Sequence, residues 1–375
     1  MKSRWETGSE FDWSENLLKP EVALAVWPKP LELFASGRAA VLSLLRLLSQ
    51  GAPRPRLHVP SFFCMEVATC FKAVADIVWY RDLPTEPVPD FASLQARPGE
   101  WVLAVNFFGL RTGSAWQDWC QRHDDVRLIE DHTHDPLSDW AMQSTAPYAF
   151  ASLRKTLPLP DGAILWSPRQ LPLPPPLGPV SLGAYYKLSA MILKRAYLQG
   201  AGIAKEDFRT LQVQGEEMLG QADDGAASDF TRAVWRHLPV LEFRSRRQAN
   251  VQLLLASLAG RINSFCQPLF SSWSRGAAPF QAILLCASPE IREQLRQHLI
   301  QHHVYAAVHW RQGDGGLCSE DPAALDLSRR ILTVPADHRY SSEDVARVAQ
   351  LLTAFFSPGA RPLPSPAPDP DRGLV

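Results

Sequence analysis

The sequence offers no CxxC pair among its six cysteines, Cys64, Cys70, Cys120, Cys266, Cys286 and Cys318, and no histidine at ligand spacing from any of them. That scatter speaks against a zinc site and a disulfide framework, and a reducing compartment fits it best. Charge of one sign is also missing: 38 Lys and Arg stand against 39 Asp and Glu, a formal net of −1. Such a balance exerts no long-range pull on phosphate backbones or anionic lipid, so neither a nucleic-acid binder nor a membrane-surface protein is expected. No uninterrupted apolar run reaches about 18 residues, and the opening MKSRWETGSEFDWSEN has no signal-peptide core, so a cytoplasmic protein is expected.

What is present is apolar material for a large core, 46% hydrophobic and 10% aromatic, in a chain of 375 residues that suits two packed units. Proline is in excess, at 32, but six of these lie in Ser167–Pro179 and six in Ser357–Val375. Elsewhere its frequency is ordinary. The two clusters predict a polyproline-like surface loop at 167–180 and a disordered tail at 357–375.

From Arg56 to Trp166 short apolar runs (RLHVP, DIVWY, WVLAVNFF, VRLIED, YAFAS, AILW) alternate with helical patterns, which is the mark of an α/β fold with a mostly parallel sheet between helices. Ahead of them Val41, Leu44, Leu45 and Leu48 make one buried stripe on a helix that opens at Ser36-Gly37. Helices are expected at Tyr185–Tyr197 and Ala227–Leu258, the latter bearing a solvated RSRRQ patch. The last third reads differently. QAILLC, VYAAV and ILTV are strands, Ser288-Pro289-Glu290 starts a helix with Ile291, Leu295 and Leu299 inward, and Ser341/Ser342 opens a closing helix. The expected units are therefore 1–240 as a large domain and 241–356 as a small α+β domain, with no internal repeat.

The chemistry concentrates in Leu128–Trp166. A strand ending in Glu130-Asp131 places a carboxylate at the C-terminal sheet edge, where open α/β folds bind ligands. A second strand ends in Ser152-Leu153-Arg154-Lys155, so an acid and a lysine face one crevice. Pyridoxal 5'-phosphate (PLP) requires such a pair: lysine for the cofactor aldehyde, carboxylate for the ring nitrogen. Its phosphate requires open amides at a helix start, which Gly37, Arg38 and Ala39 offer, and a hydroxyl, which Ser152 offers. His132, His134 and Asp135 sit too close together on one loop for zinc geometry.

The ordered series FASGRAAVLSLL, VPSFFCMEV, VNFFGL, LIEDHTHD, SLRKTLPLPDGA, VYAAVHW and LSRRILTVPADHRY, over residues 30–356, resembles the DegT/DnrJ/StrS-type PLP-dependent aminotransferases of fold type I. The resemblance implies a homodimer with its active site between subunits. It also implies amino transfer, from glutamate, to a keto sugar carried on a nucleotide. Lys155 matches the family's Schiff-base lysine and proton-moving base, and Asp131 matches the carboxylate paired with the pyridinium. His134 falls where members contact the ring hydroxyl, and Gly37 and Arg38 match the phosphate-holding turn. Asn106 stands where a His is frequent. Departures accompany these matches. Cys64 occupies the usual stacking position, so Phe63 or Phe62 would stack instead. Phe150 replaces a hydroxyl, leaving Ser152. The glycine-rich stretch after the lysine is reduced to Pro160-Asp161-Gly162-Ala163. No Asn-Tyr-Arg segment is found for reaching a neighbouring subunit's phosphate. His309 and Trp310 would line the substrate entrance or cap a strand, and Arg329 would hold a substrate carboxylate or phosphate or form an ion pair. Two alternatives stay open: another PLP reaction, a dehydratase or lyase, on a small amino compound, and a non-catalytic binding protein on the same fold.

Overall fold

The computed structural model describes residues 3–19, 26–51, 53–262, 265–313 and 319–356. The proline-rich tail at 357–375 lies outside them. The strands are Thr7–Gly8 (β1), Leu31–Phe34 (β2), Arg56–Pro60 (β3), Asp76–Tyr80 (β4), Trp101–Val105 (β5), Arg127–Asp131 (β6), Tyr148–Ser152 (β7), Ala163–Trp166 (β8), Cys266–Pro268 (β9), Ala282–Cys286 (β10), Val304–Tyr305 (β11) and Ile331–Val334 (β12). The helices are Gly37–Leu48 (α1), Met65–Phe71 (α2), Ser114–Cys120 (α3), Asp139–Met142 (α4), Leu182–Leu198 (α5), Lys205–Gly220 (α6), Asp229–Val234 (α7), Val240–Leu258 (α8), Pro289–Gln301 (α9), Pro322–Arg330 (α10) and Ser342–Phe355 (α11).

A seven-stranded sheet runs in the order β2-β8-β7-β6-β5-β3-β4. β3 to β7 are mutually parallel, and β8 runs antiparallel to both β7 and β2. Every residue of β5, β7 and β8 is buried, because helices cover both faces of such a sheet and its strands become continuous apolar runs. The register opposes Val105 to Asp131 and Asp131 to Phe150, so β5, β6 and β7 end side by side. The Gly162 amide donates to the Ala35 carbonyl at 2.7 Å, which draws the start of α1 to the same edge.

A separate three-stranded antiparallel sheet, β12-β10-β9, packs against α8, α9 and α10, and α11 packs in turn on α8 and α9. Val59 and Phe107 share one apolar cluster with Leu284 and Leu352, so packing is continuous between the two sheets. The N-terminal segment does not stay with the large sheet, contrary to its assignment to 1–240: Thr7 and Gly8 pair in parallel with Val304 and Tyr305. Nor is Ala227–Leu258 one helix. It breaks ahead of Pro239, which has no amide to donate, and α8 restarts behind it. α6 was not expected at all. Its buried stripe is Phe208, Gln212, Gly215 and Leu219, half of it not apolar. Gly215 is there for contact. A Cβ at that position would fall 2.6 Å from Lys187 Cγ and 2.8 Å from the Gly183 oxygen, so glycine lets α5 and α6 touch.

Candidate active site

Lys155 ends the short turn that leaves β7, pinned by the Leu153 amide donating to the Gly162 carbonyl at 3.0 Å. It is half-buried and opens on a cavity of about 240 Å³ that is also lined by Gly8–Phe11, Arg154, Lys187, Glu216, Phe280 and His309. Its Nζ has no hydrogen bond or ion pair among the described residues. Burial, with the charge of Arg154 next in weight, pulls this amine below its ordinary range. His309 is fixed by a 2.9 Å hydrogen bond between Nδ1 and Thr333 Oγ1. Burial and the nearby Lys155 charge push its pKa down to about 3, so its ring is neutral at neutral pH.

At the end of β6 the Asp131 Oδ1 accepts the Thr133 amide at 2.9 Å. Burial raises this carboxyl's pKa and the Thr133 hydrogen bond opposes the rise. A buried carboxylate calls for a positive partner. His134 Nδ1 accepts the Phe108 amide at 3.1 Å, and its ring stacks on Phe280 at 4.4 Å and on Trp310 at 5.6 Å. Burial foremost, then the charges of His309, Lys155 and Arg247, holds it well below the usual imidazole range. A neutral ring whose Nδ1 accepts carries its proton on Nε2, so His134 presents a donor.

Ser36 Oγ caps α1 by accepting the Ala39 amide at 3.1 Å, which leaves the Gly37 and Arg38 amides without partners among the described residues at the positive end of a 12-residue helix. Ser152 stands against them: a Cβ on Gly37 would lie 3.4 Å from Ser152 Cβ. The Arg38 side chain turns elsewhere, Nη1 to Cys70 Sγ at 3.8 Å, with Nε buried and unpaired. Asp131, His134, Ser152, Lys155, Gly37 and Arg38 thus gather at one sheet edge.

Other expected residues are placed differently. Asn106 spends its side chain on loops, donating to Ser138 Oγ at 3.2 Å and accepting the Arg111 amide at 3.0 Å. Phe62 and Phe63 face Trp310 at 5.7 and 6.2 Å, so Trp310 belongs to an aromatic stack and does not line the cavity. Arg329 is not brought to the site. α10 turns Ala324, Leu327 and Ser328 inward, which rotates the next residue into solvent, and the Arg329 carbonyl merely accepts from Arg292 at 3.0 Å. His132 and Asp135 go to Glu130 and to Arg244, at 3.0 and 2.8 Å. Sequence reasoning missed Glu10, Lys187, Glu216 and Phe280, which reach the cavity from four distant segments with no local motif.

This edge, with β8 reversed beside a parallel set and the acid and lysine on neighbouring strands, has the fold of the DegT/DnrJ/EryC1/StrS aminotransferases. Among solved structures the chain is similar to DesV of S. venezuelae, determined in complex with a ketimine intermediate, at 17% identity and a TM-score of 0.61, covering 94% of this chain and 90% of that one. DesI, determined in the presence of its TDP-sugar product, matches at 17% identity and a TM-score of 0.60, covering 95% and 87%. A DegT DnrJ EryC1 StrS aminotransferase from Brucella abortus matches at 14% identity and a TM-score of 0.53, covering 88% and 86%. No protein-family model and no curated protein sequence matches the chain.

Proposed function

We propose that this protein is a PLP-dependent aminotransferase that moves an amino group from glutamate to a keto sugar carried on a nucleotide. One observation carries the reading: an unpaired, charge-depressed Lys155 amine opens on a cavity at the same edge as the buried Asp131 carboxylate and two open amides of α1. The residues present fit the cofactor. Asp131 would hold its ring nitrogen, His134 Nε2 would donate to its ring hydroxyl, and the Gly37 and Arg38 amides with Ser152 would hold its phosphate. When bound, PLP supplies an electron sink for charge that develops on the amino-bearing carbon.

The chain's own groups supply the rest. An amine below its ordinary pKa spends more time neutral, so Lys155 can take and return a proton at Nζ more readily than an exposed lysine. His309, neutral and clamped by Thr333, adds no competing positive charge beside that amine. Phe280 and the 8–11 segment wall the cavity and limit water at Lys155. The nucleotide-sugar acceptor is favoured by the TDP-sugar product in whose presence DesI was determined and by the arginines Arg154, Arg296, Arg311 and Arg339 around the cavity. A homodimer belongs to the same reading. So does a cytoplasmic location, which the free thiols of the five described cysteines favour. No helix among the described residues is long and apolar enough to cross a membrane.

The test is spectroscopic. PLP added to the purified protein should give a visible band that borohydride bleaches and that Lys155→Ala abolishes. Glutamate should then convert the bound cofactor to its pyridoxamine form, and a keto sugar nucleotide, in preference to simple keto acids, should convert it back. A missing band, or one unchanged in Lys155→Ala, overturns the proposal.

A further inference from the structure

Beside Lys155 lies a chain of charges of which only Arg154 belongs to a sequence motif. Arg154 grips Glu216 of α6 with both terminal nitrogens, Nη1 to Oε2 at 2.7 Å and Nη2 to Oε1 at 2.6 Å. Lys187 of α5 donates to the same Glu216 Oε2 at 2.6 Å and to Glu10 of the N-terminal segment at 2.7 Å. The side chains of Arg154 and Lys187 are 14% and 3% exposed, too little for water to screen them, and all four groups border the cavity that Lys155 opens on. The approach of α5 to α6 at Gly215 puts Lys187 within reach of the neighbouring Glu216.

We infer that Glu216 is a positioning residue for Lys155: its two-pronged hold on Arg154 fixes the 153–155 turn, and its carboxylate balances the two cations, Arg154 and Lys187, that crowd the Lys155 amine. The geometry explains why the balance is needed. Arg154 is covalently next to Lys155 and cannot move away, so without a carboxylate the turn would hold like charges together in a poorly hydrated place. Every charged or titratable group that acts on Lys155 enters this account. Arg154 and Lys187 disfavour its ammonium and Glu216 favours it, while the imidazoles of His134 and His309 and the Cys64 thiol, whose ionisation burial holds back, face it uncharged. Although burial opposes it, the pull of Arg154 and Lys187 keeps Glu216 ionised well below the usual carboxylate range, so the counter-charge persists at any working pH.

This inference deepens the proposed function and rests on it for its catalytic meaning, but its test does not depend on turnover. Trace acetic anhydride labelling of the full chain without added PLP, read by mass spectrometry of the Lys155 peptide across pH, reports the midpoint at which that amine loses its proton. Glu216→Gln should lower the midpoint by about one pH unit, a roughly tenfold rise in neutral amine at pH 7. Lys187→Met should shift it upward, and Glu216→Asp should return it towards the wild-type value. A merely structural ion pair would not move the midpoint in opposite directions in two variants. An unchanged midpoint in Glu216→Gln overturns the inference, and if that variant does not fold, an unchanged midpoint in Lys187→Met does so. PLP giving its borohydride-sensitive band while neither midpoint moves overturns this inference alone. Shifted midpoints with no PLP band support it and overturn the proposed function.

Discussion

Burial drives Lys155 and Asp131 away from their ordinary ionisation in opposite senses, the amine down and the carboxyl up, so both resist charging unless each meets a partner. Asp131→Asn keeps the shape and the acceptor for the Thr133 amide while deleting the charge. Stability should therefore change by less than about 1 kcal/mol, since one buried charge is removed as its hydrogen bond is kept. Transamination should fall on the order of 10²–10³-fold. Urea denaturation and single-turnover absorbance measure the two, and an active Asp131→Asn enzyme would remove Asp131 from the site. That these two residues, with His134 and Ser152, converge was legible in the sequence because they fall at or just past the ends of two neighbouring strands that the parallel register aligns. Glu10, Lys187 and Glu216 were not. Each is an ordinary charged residue on its own element, and only the docking of α5, α6 and the N-terminal segment gives it a role. Arg329 failed for the converse reason: an arginine in a matching motif says nothing of the rotation that α10 imposes on it.

Elements that announce themselves by pattern were read correctly: the apolar runs of β3 to β8, the α1 stripe and the capped α9 and α11. Two-residue β1 and three-residue β9 have no period to detect, and α6 hides its inner face behind Gln212 and Gly215. The Gly183–Gly215 contact makes α6 necessary to α5, so Gly215→Ala should wedge the pair apart and cost about 1–3 kcal/mol, as overpacking does. A lowered thermal midpoint checks this, and an unchanged one would mean that the helices shift without penalty. The shortened segment after the lysine has an equally local duty. Asp161 accepts the Ser228 amide and hydroxyl, both at 2.7 Å, and the Thr231 hydroxyl, so it seats the first turn of α7 under the Lys155 turn. Asp161→Ala leaves those buried donors bare and should cost about 2–3 kcal/mol. The variant should still bind PLP at low temperature, because Asp161 touches none of the proposed cofactor contacts. Chemical denaturation and PLP absorbance at 10 °C separate the two statements.

Over the whole molecule, the N-terminal segment, α8 and the second sheet converge on His338. Its ring stacks on Phe243 at 3.9 Å and on Phe11 at 5.4 Å, and neither of its nitrogens finds a hydrogen bond among the described residues. Next to it Arg339 donates to the Glu10 carbonyl at 3.0 Å, so the segment that walls the cavity is held by the residues around His338. Burial pushes the His338 pKa down to about 3, overriding the pull of Asp337 in the other direction. The unfolded chain takes up this proton near pH 6.5, whereas the fold refuses it until about pH 3. The contribution to stability is therefore complete above about pH 6.5 and is lost as the pH falls towards 3. Carboxyls work against this in part: Asp82, raised to about 6 by burial, favours the fold as acid is added between about pH 6 and 4. The His338 contribution must consequently be read as a difference between two proteins. Leucine fits between the two phenylalanine rings, forfeits no hydrogen bond and takes no proton in either state. In urea unfolding the advantage of His338→Leu over wild type should grow by about 1.4 kcal/mol for each unit from pH 6 to pH 4. Parallel curves over that range would mean that His338 is protonated in the fold, and that the junction between the N-terminal segment and α8 opens to water at neutral pH.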